Sequence, residues 1–162
     1  MADYLPCVYA FLTCAAFSVM LEVKQLKMIV SCALTGFIGW FVYLVFRFAG
    51  EGTWAVTIRF FIATIVVAVC AEIFARIHKT PATLFLIIGI IPMVPGGGVY
   101  YTMEALLDGD MTAFVSQGIK TAASAGAIAV GCSLVSSVVR IIRRRQAAQT
   151  GGLRLLPPVP KR

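Results

Sequence analysis

Long apolar runs separated by short charged links dominate the chain. The first run extends from about Tyr4 to Leu21 and closes on Glu22, Lys24 and Lys27. The second, from about Met28 to Phe46, ends at a link holding Arg47, Gly50, Glu51 and Gly52. The third, from about Trp54 to Ala75, carries Arg59 near its start and Glu72 near its end; Arg76, His78, Lys79 and Pro81 follow. The fourth covers about Ala82 to Leu107 and gives way to Asp108, Gly109 and Asp110. Met111 to Ile119 is polar enough for an interfacial turn or a helix extension. The fifth run is about Thr121 to Val139. Apolar runs of about 20 residues match helices that cross a hydrocarbon layer about 30 Å thick. The pattern predicts an all-α, polytopic membrane helical bundle over 1–145, with five transmembrane helices, or four on a shorter count. Residues 146–162 read as a disordered, basic, Pro-rich cytoplasmic tail, too polar to bury a core.

The fourth run is interrupted by two prolines and three glycines. It contains Pro92-Met93-Val94-Pro95-Gly96-Gly97-Gly98. Proline lacks an N–H and its ring clashes with the carbonyl four residues back. Pro92 and Pro95 therefore tend to strip the carbonyls of Ile88 and Ile91 of helical partners. The residue before each proline is pushed towards an extended shape. Broken backbone inside hydrocarbon survives where it is buried in protein or lines a wet cavity. Transporters build substrate sites on such discontinuous helices. A helix restarting after Gly98 presents unpaired N–H groups with a partial positive charge of roughly half a unit. That is a natural seat for a carboxylate. Pro92, Pro95, Gly96, Gly97, Gly98, Tyr100, Tyr101 and Thr102 are the candidate substrate-binding residues. A kinked helix that merely packs is the plainer alternative.

Composition sharpens the class. The chain is 60% hydrophobic and 13% charged, with mean hydropathy +0.92; soluble domains carry about 25% charged residues. The net charge is +7, and seven of the fourteen basic residues lie at or beyond Arg140. Anionic lipid headgroups beside the last helix are the expected partner of that cluster. Nucleic acid is not, since no basic-aromatic surface or binding module is present. With the N-terminus outside, eleven basic residues fall on the inner side and three (Arg47, Arg59 and Lys120) on the outer side. The positive-inside rule favours that orientation. No basic n-region precedes the first run, so a cleaved signal peptide is not expected.

Few residues could carry chemistry. Glu72 and Glu104 are the ion-coupling candidates, because carboxylates within membranes are costly and functional. Glu72 also has Arg76 four residues on, where a structural pair forms on a helix. Glu104 suits an outer vestibule, and Glu22 an interface. His78 suits a solvated loop, with proton sensing as the alternative. Arg59 is expected to snorkel outward. Cys7, Cys14, Cys32, Cys70 and Cys132 read as small apolar packing residues. No catalytic constellation, metal cluster or nucleotide loop appears, so no enzyme activity and no cofactor are expected. The Gly96–Gly98 run lacks the strand and helix of a dinucleotide fingerprint. In the fifth run, Ala123, Ala127 and Gly131 recur every four positions and form a small face for close helix packing. It serves this chain, a partner, or homo-oligomerisation.

Arg76-Ile77-His78-Lys79-Thr80-Pro81-Ala82-Thr83-Leu84-Phe85, then Ile91-Pro92-Met93-Val94-Pro95-Gly96-Gly97-Gly98 and Tyr100-Tyr101-Thr102-Met103, resembles the threonine/serine exporter family. The chain is similar to the small, C-terminal-half type of subunit, which also occurs in two-component succinate exporters. The similarity extends from about Leu21 to Arg140. The resemblance implies an inner-membrane exporter of threonine, serine or a dicarboxylate such as succinate, acting in a heteromeric complex with a larger multi-span subunit. It supplies no site residues beyond the position of the Pro/Gly motif. A scaffold or assembly subunit without substrate contact is the alternative from another class.

Overall fold

The computed structural model describes residues 5–50 and 52–153, apart from the side chains of 48, 49 and 146–153. Among the described residues the chain is helical, with no strand. In order come α1 (Leu5–Met20), α2 (Leu26–Val45), α3 (Thr53–His78), α4 (Ala82–Ile90), α5 (Gly96–Leu107) and α6 (Met111–Leu153). Short 3-10 turns cover Phe46–Ala49 and Ile91–Met93. The all-helical membrane bundle expected from the apolar runs is what forms. Among the described residues, α2, α3 and α6 are each long and apolar enough to cross a membrane. α4 and α5 make a fourth candidate span, bent by 44° at the Pro/Gly break. α1 is apolar but shorter, at 16 residues.

The core is built from small side chains, which bring helices close. α1 packs on α2, α2 on α3, and α4 lies against both α2 and α3. Cys14, Cys32, Ala33, Phe85 and Ile88 are fully buried where α1, α2 and α4 meet. Beside the break, Met93 is buried among Phe60, Ala63 and Val67 of α3 and Ala127 of α6. Gly39 makes that packing feasible: a Cβ there would lie 2.4 Å from Val67 Cγ2 and 3.3 Å from Met93 Sδ. The buried and half-buried cysteines act as packing residues.

One boundary differs from the sequence pattern, and one open alternative is decided. Of the two readings of Met111 to Ile119, the helix extension is what forms, as the first part of α6. Asp110 starts it, its carboxylate accepting the Ala113 N–H at 2.9 Å, as a helix cap should. α6 then continues to Leu153, through the first residues assigned above to a disordered tail. No proline between 111 and 153 stops it. The Pro-rich end, with Pro157, Pro158 and Pro160, lies outside the described residues. Forty-three helical residues span about 65 Å, roughly twice the hydrocarbon thickness, so α6 projects well beyond it.

α3 and α6 run in the same direction. Ala127 of α6 packs beside Phe60. Gly131 packs beside Thr64, and Arg143 pairs with Glu72. Two members of the small face, Ala127 and Gly131, are thus used within the chain, against α3. α5 folds back along α6 as an antiparallel hairpin.

Candidate functional site

At the break the backbone loses some of its hydrogen bonds and recovers others. Pro92 deprives the Ile88 carbonyl of its helical donor, and Cys14 Sγ–H of α1 takes that place at 3.2 Å. The Ile91 carbonyl, stripped by Pro95, accepts the Val94 N–H at 3.3 Å. Val94 is extended, at φ −58° and ψ 128°, as a residue before proline should be. Ile91 is not: it keeps right-handed helical angles, φ −47° and ψ −49°. Pro92 follows it within the first turn of the 3-10 segment, where a proline needs no N–H. Past Pro95 the Gly96 N–H bonds to the Val94 carbonyl at 2.7 Å, and Val99 N–H to Pro95 at 3.1 Å. No side chain caps α5. The N–H groups of Gly97 and Gly98 have no partner among the described residues.

Three clefts lie along the break and α5. The first, of about 250 Å³, lies between α3, the start of α5 and α6. Val56, Phe60, Pro95, Gly98, Gln117, Lys120, Thr121 and Ser124 line it. Gly98 brings α5 against α6, since a Cβ there would sit 2.5 Å from Thr121 Oγ1. Thr121 and Ser124 donate to the Gln117 and Lys120 carbonyls at 2.8 and 2.9 Å. Their oxygens keep lone pairs for a further donor. The second cleft, across the break, places Pro92 with Pro6, Tyr9, Ala10, Thr13 and Trp40. The indole N–H of Trp40 is buried with no partner among the described residues. The third follows the α5–α6 hairpin towards its turn and holds Tyr101, Glu104, Asp108, Asp110 and Gln117.

The sequence-derived candidates therefore divide. Pro95 and Gly98 share the first cleft; Pro92 faces the second; Tyr101 and Glu104 line the third. Gly96 and Gly97 face open space: nothing lies within 4 Å of a Cβ on Gly96, and Tyr101 Cε2 lies 3.9 Å from one on Gly97. Tyr100 is 63% exposed and meets Tyr101 edge-on. The Thr102 hydroxyl donates to the Gly98 carbonyl at 2.7 Å, and its methyl faces Gly118 of α6. Sequence reasoning missed Gln117, Lys120, Thr121 and Ser124. Lys120 counted there only as an outer charge. A lysine directly before a run of small hydroxyl and alanine residues was the available signal.

Three charged or titratable residues sit differently from expectation. Glu72 pairs with Arg143 of α6 at 2.8 Å rather than with Arg76, because α6 runs alongside α3 and delivers the longer-range partner. It stands apart from the three clefts. His78 is no solvated loop residue. It ends α3, meets Ser31 Oγ of α2 through Nε2 at 2.9 Å, and stacks on Phe85. Arg59 does not snorkel. It is 5% exposed and donates through Nη2 to the carbonyls of Arg47 (2.6 Å) and Gly50. Those carbonyls lie in the link after α2, so the guanidinium substitutes for missing helical donors there.

A family model described as Threonine/Serine exporter, ThrE, matches residues 6–138. The chain belongs to the threonine/serine exporter family. The match takes in the helices α1 to α5 and most of the membrane part of α6, including the break and all three clefts. No curated protein and no solved structure matches this exporter chain. Membership assigns it to transport rather than catalysis, and its apolar helices make it a multi-pass membrane protein.

Proposed function

We propose that the chain is the small membrane subunit of a secondary exporter for small carboxylate-bearing metabolites. Threonine, serine or a dicarboxylate such as succinate would be its cargo, and a larger multi-span subunit its partner. The observation that carries this reading is the uncapped start of α5. Two backbone N–H groups, of Gly97 and Gly98, lack partners among the described residues at a bend inside a candidate span. Orphan donors are expensive in a membrane, and a carboxylate satisfies them together with the helix dipole. Gly96 and Gly97 face space that this chain leaves open, where a partner subunit can complete the site. An ion gradient drives efflux, since the sequence carries no nucleotide-binding motif. The chain sits in the cell's inner membrane with its N-terminus outside and its C-terminus in the cytoplasm. Anionic headgroups meet the basic residues from Arg140 onward.

The test is Gly97→Leu. A Cβ at Gly97 meets only the tip of Tyr101, at 3.9 Å, so the chain's own fold has room for the variant, and its assembly with the partner is measured alongside export. In a strain deleted for this chain and complemented with the full-length variant, export of L-threonine, L-serine and succinate should fall at least about a hundredfold, because the leucine keeps the backbone N–H but blocks the ligand from it, an effect comparable to losing an oriented donor. Export at the wild-type rate from a Gly97→Leu chain present at normal level in the membrane contradicts the reading.

A further inference from the structure

Among the described residues, Lys120 of α6, itself exposed, carries the one charged side chain in the lining of the first cleft, and the cleft also reaches Pro95 and Gly98 at the start of α5. Two sources of positive potential therefore converge there from different elements. One is the ammonium of Lys120; the other is the unpaired first turn of α5. The close approach of Gly98 to Thr121, with a Cβ position 2.5 Å from Thr121 Oγ1, fixes α6 against that first turn. Val56 and Phe60 of α3 supply an apolar wall. Ser124, 4% exposed, has its proton committed to the Lys120 carbonyl at 2.9 Å. Its free lone pairs suit a donor on the ligand, such as a hydroxyl or an ammonium.

We infer that Lys120 is a substrate-binding residue, its ammonium pairing with the carboxylate of the transported molecule in the cleft between α3, α5 and α6. The inference rests on the exporter reading above and adds to it a side chain on a different helix. A charge-assisted bond of this kind governs affinity, so its loss appears first as weaker binding. Lys120→Gln should raise the internal concentration of L-threonine needed for half-maximal efflux by about tenfold or more. The maximal rate should change less. Lys120→Arg should restore most of the affinity, because it keeps the charge.

The experiment measures efflux against internal concentration for wild type, Lys120→Gln, Lys120→Arg and Gly97→Leu in the same complemented strain. Unchanged concentration dependence in Lys120→Gln, with Gly97→Leu inactive, overturns the role of Lys120 and leaves the exporter site intact. Wild-type export by both variants overturns the exporter site as well. A second readout uses the wild-type chain in membranes and does not depend on the folding of a variant. L-threonine should slow acylation of the Lys120 amine by a water-soluble amine reagent relative to that of the exposed Lys24 in the same sample, a ratio that cancels the reagent consumed by the amino acid's own amine, and threonine amide, which lacks the carboxylate, should not. An equal Lys120-to-Lys24 ratio with and without L-threonine overturns the inference.

Discussion

At the scale of single residues, the instructive case is Arg59. Sequence pattern placed a lone arginine near a helix end, where arginines commonly reach for water. The chain instead turns the guanidinium inward onto the carbonyls of Arg47 and Gly50. The demand that draws it in is invisible in sequence, because it arises from the link after α2 folding back over α3. Arg59→Met keeps the packing volume and removes the donors. It should destabilise the chain by about 2 kcal/mol, as expected when charge-assisted bonds are lost and carbonyls are left unpaired. Thermal unfolding in detergent checks this, and an unchanged midpoint would deny the arginine that role. The same limit explains Lys120. Charge counting assigned it to a side of the membrane, but only the meeting of α5 and α6 shows which cleft it lines.

At the scale of elements, hydropathy and proline chemistry carried most of the information. α2 and α3 begin and end within a few residues of the apolar runs that announced them. The break fell at Pro92 and Pro95, but the glycines are helical and α5 restarts at Gly96 rather than after Gly98; the bend of 44° follows from the lost helical bonds. What the pattern could not give was pairing between elements. Glu72 had a local partner four residues on, yet its ion pair runs to Arg143 on α6. Choosing between them needs the parallel placement of α3 and α6, a long-range fact. Arg143 is 56% exposed in that pair, so solvent screens it and its contribution is under about 1 kcal/mol. Arg143→Ala should therefore lower stability by no more than that. The exchanged pair Glu72→Arg with Arg143→Glu should recover the loss if the contact forms as described. A large loss that the exchange does not recover would show that Glu72 works outside this pair.

At the scale of the whole molecule, the fold gathers small residues in α2, α3 and α6 so that a broken helix can be buried beside them. Gly39 and Met93 meet at the bend, and Gly98 and Thr121 just beyond it. The apolar class and the disruption of the fourth run were legible from the start; which candidate residues share a cleft was not. Thr102 looked equivalent to Gly97 by sequence distance, but five residues of helical rotation turn its methyl onto Gly118 of α6. The family match over residues 6–138 agrees with the residues of the motif that first carried the resemblance. The account depends on water and a carboxylate reaching the start of α5 from within the bilayer. Gly97→Cys, in a chain whose five native cysteines are replaced, measures this directly. A membrane-impermeant thiol reagent, applied to both faces of opened membranes, should label residue 97, and L-threonine or succinate should slow the labelling. Labelling by lipid-soluble reagents alone, or labelling that neither ligand slows, would contradict the account.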